Sequence, residues 1–74
     1  MKDKIIEGLA ENSGLDKSEI SGESRLIGDL GLSSFDVANI AVQIEEDYGM
    51  HIPDERFPEM ETVDDVVRIV EEVK

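Results

Sequence analysis

Gly31-Leu32-Ser33-Ser34-Phe35-Asp36 carries the chain out of a loop and into its most regular helical segment. From Ser34 to Tyr48, the residues Val37, Ile40, Ala41, Ile44 and Tyr48 recur at the spacing of one helix face. With Ser33 as N-cap, Asp36 falls at the third helical position, so one serine has an ordinary capping job. Ser34 then stands in the first turn, its hydroxyl free and facing outward. Exposed N–H groups and the positive end of the helix dipole favour a phosphate there. Two hydroxyls at a helix entrance, followed by Phe35, suggest a place of attachment as well as a cap. Capping serines are far commoner than modified ones, so the pair alone leaves both readings open.

Working outward, Gly49 closes this helix, and Ile52-Pro53-Asp54 keeps the chain extended before the proline. A first helix is expected from about Lys2 to Asn12, with Ile5, Ile6, Leu9 and Ala10 on one face and Gly14 as its left-handed end. The connection from Leu15 to Leu32 is too apolar for a free linker. Leu15, Ile20, Leu26, Ile27, Leu30 and Leu32 are expected to lay it across the core, with one short helical turn. Between Asp54 and Met60 at most one short turn is expected, limited by Pro58, with Phe57 and Met60 inward. Thr62 caps the last helix, three residues before Asp65, and Val63, Val66, Val67, Val70 and Val73 form its stripe. The run Val66–Val70 is β-branched enough for a strand, but its cap, length and period favour helix. No hairpin turn and no internal repeat is present. The fold class is therefore all-α: a small bundle of three main helices plus one short helix, with a long loop between helices 1 and 2.

With 74 residues, 39% of them apolar, the chain is expected to form one small domain, residues 1–74. The net charge of −12 is uneven: −3 over residues 1–32 and −9 over residues 33–74. Such a chain repels nucleic acid and is steered towards basic protein surfaces. No run approaches the ~20 apolar residues of a membrane span, and the opening Met1-Lys2-Asp3 is not that of a signal peptide. The absence of cysteine fits a reducing compartment, so a cytoplasmic protein is expected. His51, the sole histidine, has no cysteine or second histidine to join it, and the acid pairs lack the pattern of a calcium loop, so no metal site is expected.

The second helix has more apolar residues than one buried face needs. Phe35, Ala38 and Val42 follow a second line, flanked by Asp36, Glu45, Glu46 and Asp47. This suggests a docking strip with a charged rim. The plainer alternative is that Phe35 tucks under the long loop and Val42 is a lone exposed apolar residue.

Ser24-Arg25-Leu26-Ile27-Gly28-Asp29-Leu30-Gly31-Leu32-Ser33-Ser34-Phe35, with Ile44-Glu45-Glu46-Asp47-Tyr48-Gly49 and Ile52-Pro53-Asp54, resembles the acyl carrier protein family over essentially the whole chain. The resemblance implies a non-enzymatic carrier whose serine, at Ser34, receives covalent 4′-phosphopantetheine from a phosphopantetheinyl transferase. Acyl groups would ride as thioesters between enzymes of a fatty acid, polyketide or related specialised pathway. Those acyl-processing enzymes would read Phe35, Asp36, Ala38, Val42, Glu45 and Glu46 through basic patches, and the carrier would be a monomer. Ile27, Ile44, Ile52, Phe57, Met60 and Val66 match positions that surround an acyl cavity in the family; ordinary core is their alternative reading. The Asp that usually precedes the serine, and is associated there with magnesium during transfer, is Ser33 here. The usual Leu or Met after it is Phe35. An aminoacyl cargo, or an unmodified acidic interaction protein of the same fold, are the competing expectations.

Overall fold

In the computed structural model, which describes residues 1–73, α1 spans Lys2–Ser13, α2 spans Ser34–Tyr48 and α3 spans Val63–Val73. Two 3-10 segments, Lys17–Glu19 and Asp54–Glu59, complete the regular structure. The all-α expectation of three main helices and a short one, with a long loop after the first, holds. α1 ends at Gly14 and α2 at Gly49, both left-handed, with their N–H groups returned to Ala10 and Glu45 carbonyls.

α1 packs against both of the other α-helices through Ile5 and Leu9, with Ile6 and Ala10 half-buried beside them. α2 contributes Ile40, Ala41 and Ile44, while Val37 and Tyr48 sit at the margin of its face. α3 contributes Val63, Val66, Ile69 and Val70. Ile69, outside the predicted valine stripe, is fully enclosed, whereas Val67 and Val73 are only half-buried. Each fully enclosed aliphatic side chain contributes roughly 1.5–3 kcal/mol of transfer free energy. No helix among the described residues is long and apolar enough to cross a membrane.

The long loop is fastened to the entrance of α3. Arg25 and Thr62 form an isolated antiparallel bridge. Leu26 N–H donates to the Glu61 carbonyl (2.9 Å), Val63 N–H to Ser24 (3.1 Å) and Asp64 N–H to Gly22 (2.9 Å). Gly22 is buried against Asp64, and a Cβ there would displace the Asp64 carboxylate from its present position. Ile20, Leu26, Leu30 and Leu32 are buried as expected, but Ile27 is 56% exposed. Leu26 and Ile27 lie in a turn that the Asp29 and Leu30 N–H groups close on the Arg25 carbonyl (both 3.0 Å), and within it Leu26 faces the core while Ile27 faces outward.

Asp54–Glu59 is longer than the single turn expected. The tighter 3-10 winding bonds Arg56 N–H to the Pro53 carbonyl (2.9 Å) and Met60 N–H to Phe57 (3.0 Å) around Pro58. The Arg56 guanidinium then binds Glu59 and Glu72, joining this segment to α3. Those bonds, to Glu72 above all, hold Arg56 more basic than usual, and Arg56 holds the Glu72 carboxyl below the ordinary range. Thr62 and Asp65 cap α3 reciprocally, at 3.1 and 3.2 Å.

Candidate functional site

The helix entrance separates the two serines by what their hydroxyls do. Ser33 Oγ accepts the Asp36 N–H at 3.1 Å, and Asp36 Oδ2 accepts the Ser33 N–H at 3.0 Å. Both members of the capping box are therefore occupied. Ser34 is exposed, and among the described residues no hydrogen bond engages its hydroxyl. The approach to it is held in shape. Arg25 N–H donates to Asp29 Oδ2 (2.8 Å), Leu30 N–H to the Arg25 carbonyl (3.0 Å) and Leu32 N–H to Leu26 (3.1 Å). Gly31, at φ 71°, makes the final left-handed bend before Ser33.

Beside Ser34 lies a half-open groove of about 690 Å³. Its walls are the loop (Arg25, Ile27, Gly28), the first turns of α2 (Ser34, Val37, Ala38) and the segment before α3 (Phe57, Pro58, Met60, Glu61). Of the residues matched to an acyl cavity, Ile27, Phe57 and Met60 line this groove. Ile44, Ile52 and Val66 do not; they pack into the core, Ile52 and Val66 at 2% exposure or less. Arg25, Gly28, Val37, Pro58 and Glu61 also line the groove, and the sequence pattern marks none of them as a groove wall. Arg25 stood within the quoted motif, but nothing local in the sequence shows the bridge that brings it opposite residues 57–61.

On the outer face of α2, Phe35 is 73% and Val42 49% exposed, with Ala38 exposed between them. Phe35 does not tuck under the loop. The flanking acids differ in availability. Asp36 serves the cap. Glu45 Oε2 accepts the Ile52 N–H at 2.7 Å and lies 3.1 Å from His51 Nδ1, leaving its side chain 19% exposed. Glu46 is exposed on the same helix. The sequence pattern shows Glu45 as one of an acidic trio and hides its reach to a backbone seven residues away.

The helix entrance thus leaves one serine hydroxyl exposed and unengaged among the described residues, beside a largely apolar groove. The family model described as the phosphopantetheine attachment site matches residues 3–70. The chain is 39% identical over 72 residues to the acyl carrier protein of Rickettsia massiliae (strain Mtu5), covering 97% of this chain and 84% of that protein. To the acyl carrier protein of Rickettsia bellii (strain RML369-C) it is 36% identical over 74 residues, covering 100% and 86%. The crystal structure of an acyl carrier protein from Thermotoga maritima superposes with a TM-score of 0.79 at 27% identity, over 95% of this chain and 81% of that one. The apo doublet acyl carrier protein from prodigiosin biosynthesis gives 0.80 at 27% identity over 96% of this chain, which spans only 34% of that one.

The chain belongs to the acyl carrier protein family. Proteins of this family carry acyl groups on covalent 4′-phosphopantetheine, are not enzymes themselves and interact with acyl-processing enzymes. The residues at the helix entrance fit the group, because Ser34 offers an unengaged hydroxyl on an exposed surface while Ser33 does not.

Proposed function

We propose that Ser34 is the attachment point and that residues 1–74 work as one acyl-carrier domain, monomeric and cytoplasmic. The observation that carries this is the division of the two serines: Ser33 Oγ is committed to the cap, and Ser34 Oγ is unengaged. When attached, the phosphopantetheine group supplies the thiol that this cysteine-free chain lacks. The chain's own residues display and position. The Ser33–Asp36 cap fixes the start of α2, Asp29 closes the preceding turn, and Gly31 aims the backbone.

Phe35, Ala38 and Val42 offer a small apolar centre for the transferase and the acyl-processing enzymes. Asp36, Glu45 and Glu46 add negative charge that basic patches on those partners would meet. Such a footprint suits fast exchange between partners better than a large interface does. Ile27, Phe57 and Met60 line the groove where an acyl chain nearest Ser34 would find apolar surface. Incubation with coenzyme A and a broad-specificity phosphopantetheinyl transferase should raise the intact mass by one phosphopantetheine. No gain in the wild type, or an equal gain in Ser34→Ala, would overturn the assignment.

A further inference from the structure

Arg25 is a cation without a carboxylate in a chain that has 19 acidic residues. Lys2, Lys17, Arg56 and Arg68 each pair with an acid; among the described residues no ion pair includes Arg25. Its contact with Asp29 is made by the backbone N–H and leaves the guanidinium uncommitted. Arg25 lines the groove beside Ser34 and is the only base in its walls among the described residues. Its stem passes close to Gly28, where a Cβ would stand 3.4 Å from Arg25 Cδ. A residue without a side chain at position 28 leaves Arg25 unchallenged there.

We propose that Arg25 is the counter-charge to the phosphodiester on Ser34, and that this pairing turns the pantetheine arm into the groove over Ile27, Phe57 and Met60. The proposal rests on Ser34 being the attachment point. A phosphodiester adds a negative charge to a chain already at −12, and Arg25, a wall residue of the same groove with no ion pair among the described residues, is its natural partner. The planar fork of arginine matches phosphate oxygens well. A groove of about 690 Å³ is in the size range that holds a small organic group. Arg25 acts here as a positioning residue.

The experiment loads the chain from coenzyme A with a broad-specificity transferase and confirms one phosphopantetheine by intact mass. Cross-relaxation is then measured by NMR between the arm's geminal methyl protons and the methyl groups of Ile27 and Met60. The wild type should show these cross-peaks. In Arg25→Gln they should weaken about two- to five-fold, the span of an exposed ion pair. Gly28→Glu, which sets a carboxylate against Arg25, should weaken them similarly, and Arg25→Lys should retain part of them. Raising salt to roughly 0.5 M should reduce them in the wild type by screening. Both altered positions are exposed and neither change removes a side-chain bond, so spectra elsewhere in the chain should be unchanged. Failure to load would overturn the Ser34 assignment, and this proposal with it. A loaded chain lacking the cross-peaks, or showing equal ones in Arg25→Gln, would overturn this proposal alone.

Discussion

Exchanging Ser33 and Ser34 for alanine, one at a time, should produce opposite defects. In Ser33→Ala the Asp36 N–H loses its acceptor at 3.1 Å while the reciprocal bond from Ser33 N–H to Asp36 persists. Loss of one cap hydroxyl costs about 1 kcal/mol. In a domain of this size that lowers Tm by roughly 4–8 °C. Ser34→Ala breaks no hydrogen bond and places a better helix former in the first turn, so stability should be unchanged or rise by a few tenths of a kcal/mol. Urea denaturation of the unloaded proteins, followed by circular dichroism, measures the first effect; intact mass after transferase treatment measures the second. Ser33→Ala should unfold more easily yet still accept phosphopantetheine, whereas Ser34→Ala should be stable and accept none. A cycle with Asp36→Ala should show coupling to Ser33 of about 0.5 kcal/mol or more. Equal destabilisation by the two serine changes, or loading lost in Ser33→Ala alone, would refute the division of labour between them.

Glu45→Ala should cost about 1.5–3 kcal/mol in urea titration, because the half-buried Ile52 N–H loses a charged acceptor at 2.7 Å; an effect within ±0.5 kcal/mol would mean the turn after α2 does not depend on it. Burial works against the Asp65 charge, but hydrogen bonds from the Thr62 backbone and the Arg68 side chain outweigh it and hold its carboxyl below the ordinary range. Its contribution is therefore complete above the unfolded carboxylate pKa and lost as pH falls through the lower folded value. The advantage of wild type over Asp65→Asn should thus be full well above the unfolded carboxylate value of about 3.9 and shrink as the pH is taken below it, measured as the difference between their Tm values along a pH series. Self-repulsion at −12 should be relieved by salt, so Tm in about 0.3 M sodium chloride should exceed that at low salt; an unchanged or lowered midpoint would contradict this.

Features written in short-range pattern were legible from the residues alone. Ser33 and Asp36 lie three apart and satisfy each other within one turn, and Ile40, Ala41 and Ile44 share a face whatever packs on it. Thr62 with Asp65 and the glycine ends of α1 and α2 are equally local. What escaped depends on distant partners. Ile27 carries the same apolar signal as Leu26 yet faces outward, in a turn that the Asp29 and Leu30 N–H groups close on the Arg25 carbonyl. Ile69 belongs to the core and Val67 to its margin, a distinction that the β-branched run Val66–Val70 does not carry by itself. Ile44, Ile52 and Val66 are as apolar as Phe57 and Met60, so composition does not separate a packed core position from a groove wall. The reach of Glu45 to Ile52 and the opening beside Gly28 for Arg25 likewise appear only once the chain has turned back on itself.

The bonds from Gly22, Ser24 and Leu26 to residues 61–64 join segments separated by about half the chain. Closing so long a loop is entropically slow and unfavourable until α3 has docked. The loop ahead of Ser34 and the start of α3 are therefore expected to behave as one cooperative unit in native-state hydrogen exchange. The amides of Leu26, Val63 and Asp64 should exchange through a single opening event, and a change that loosens the start of α3 should also loosen the loop that leads to Ser34.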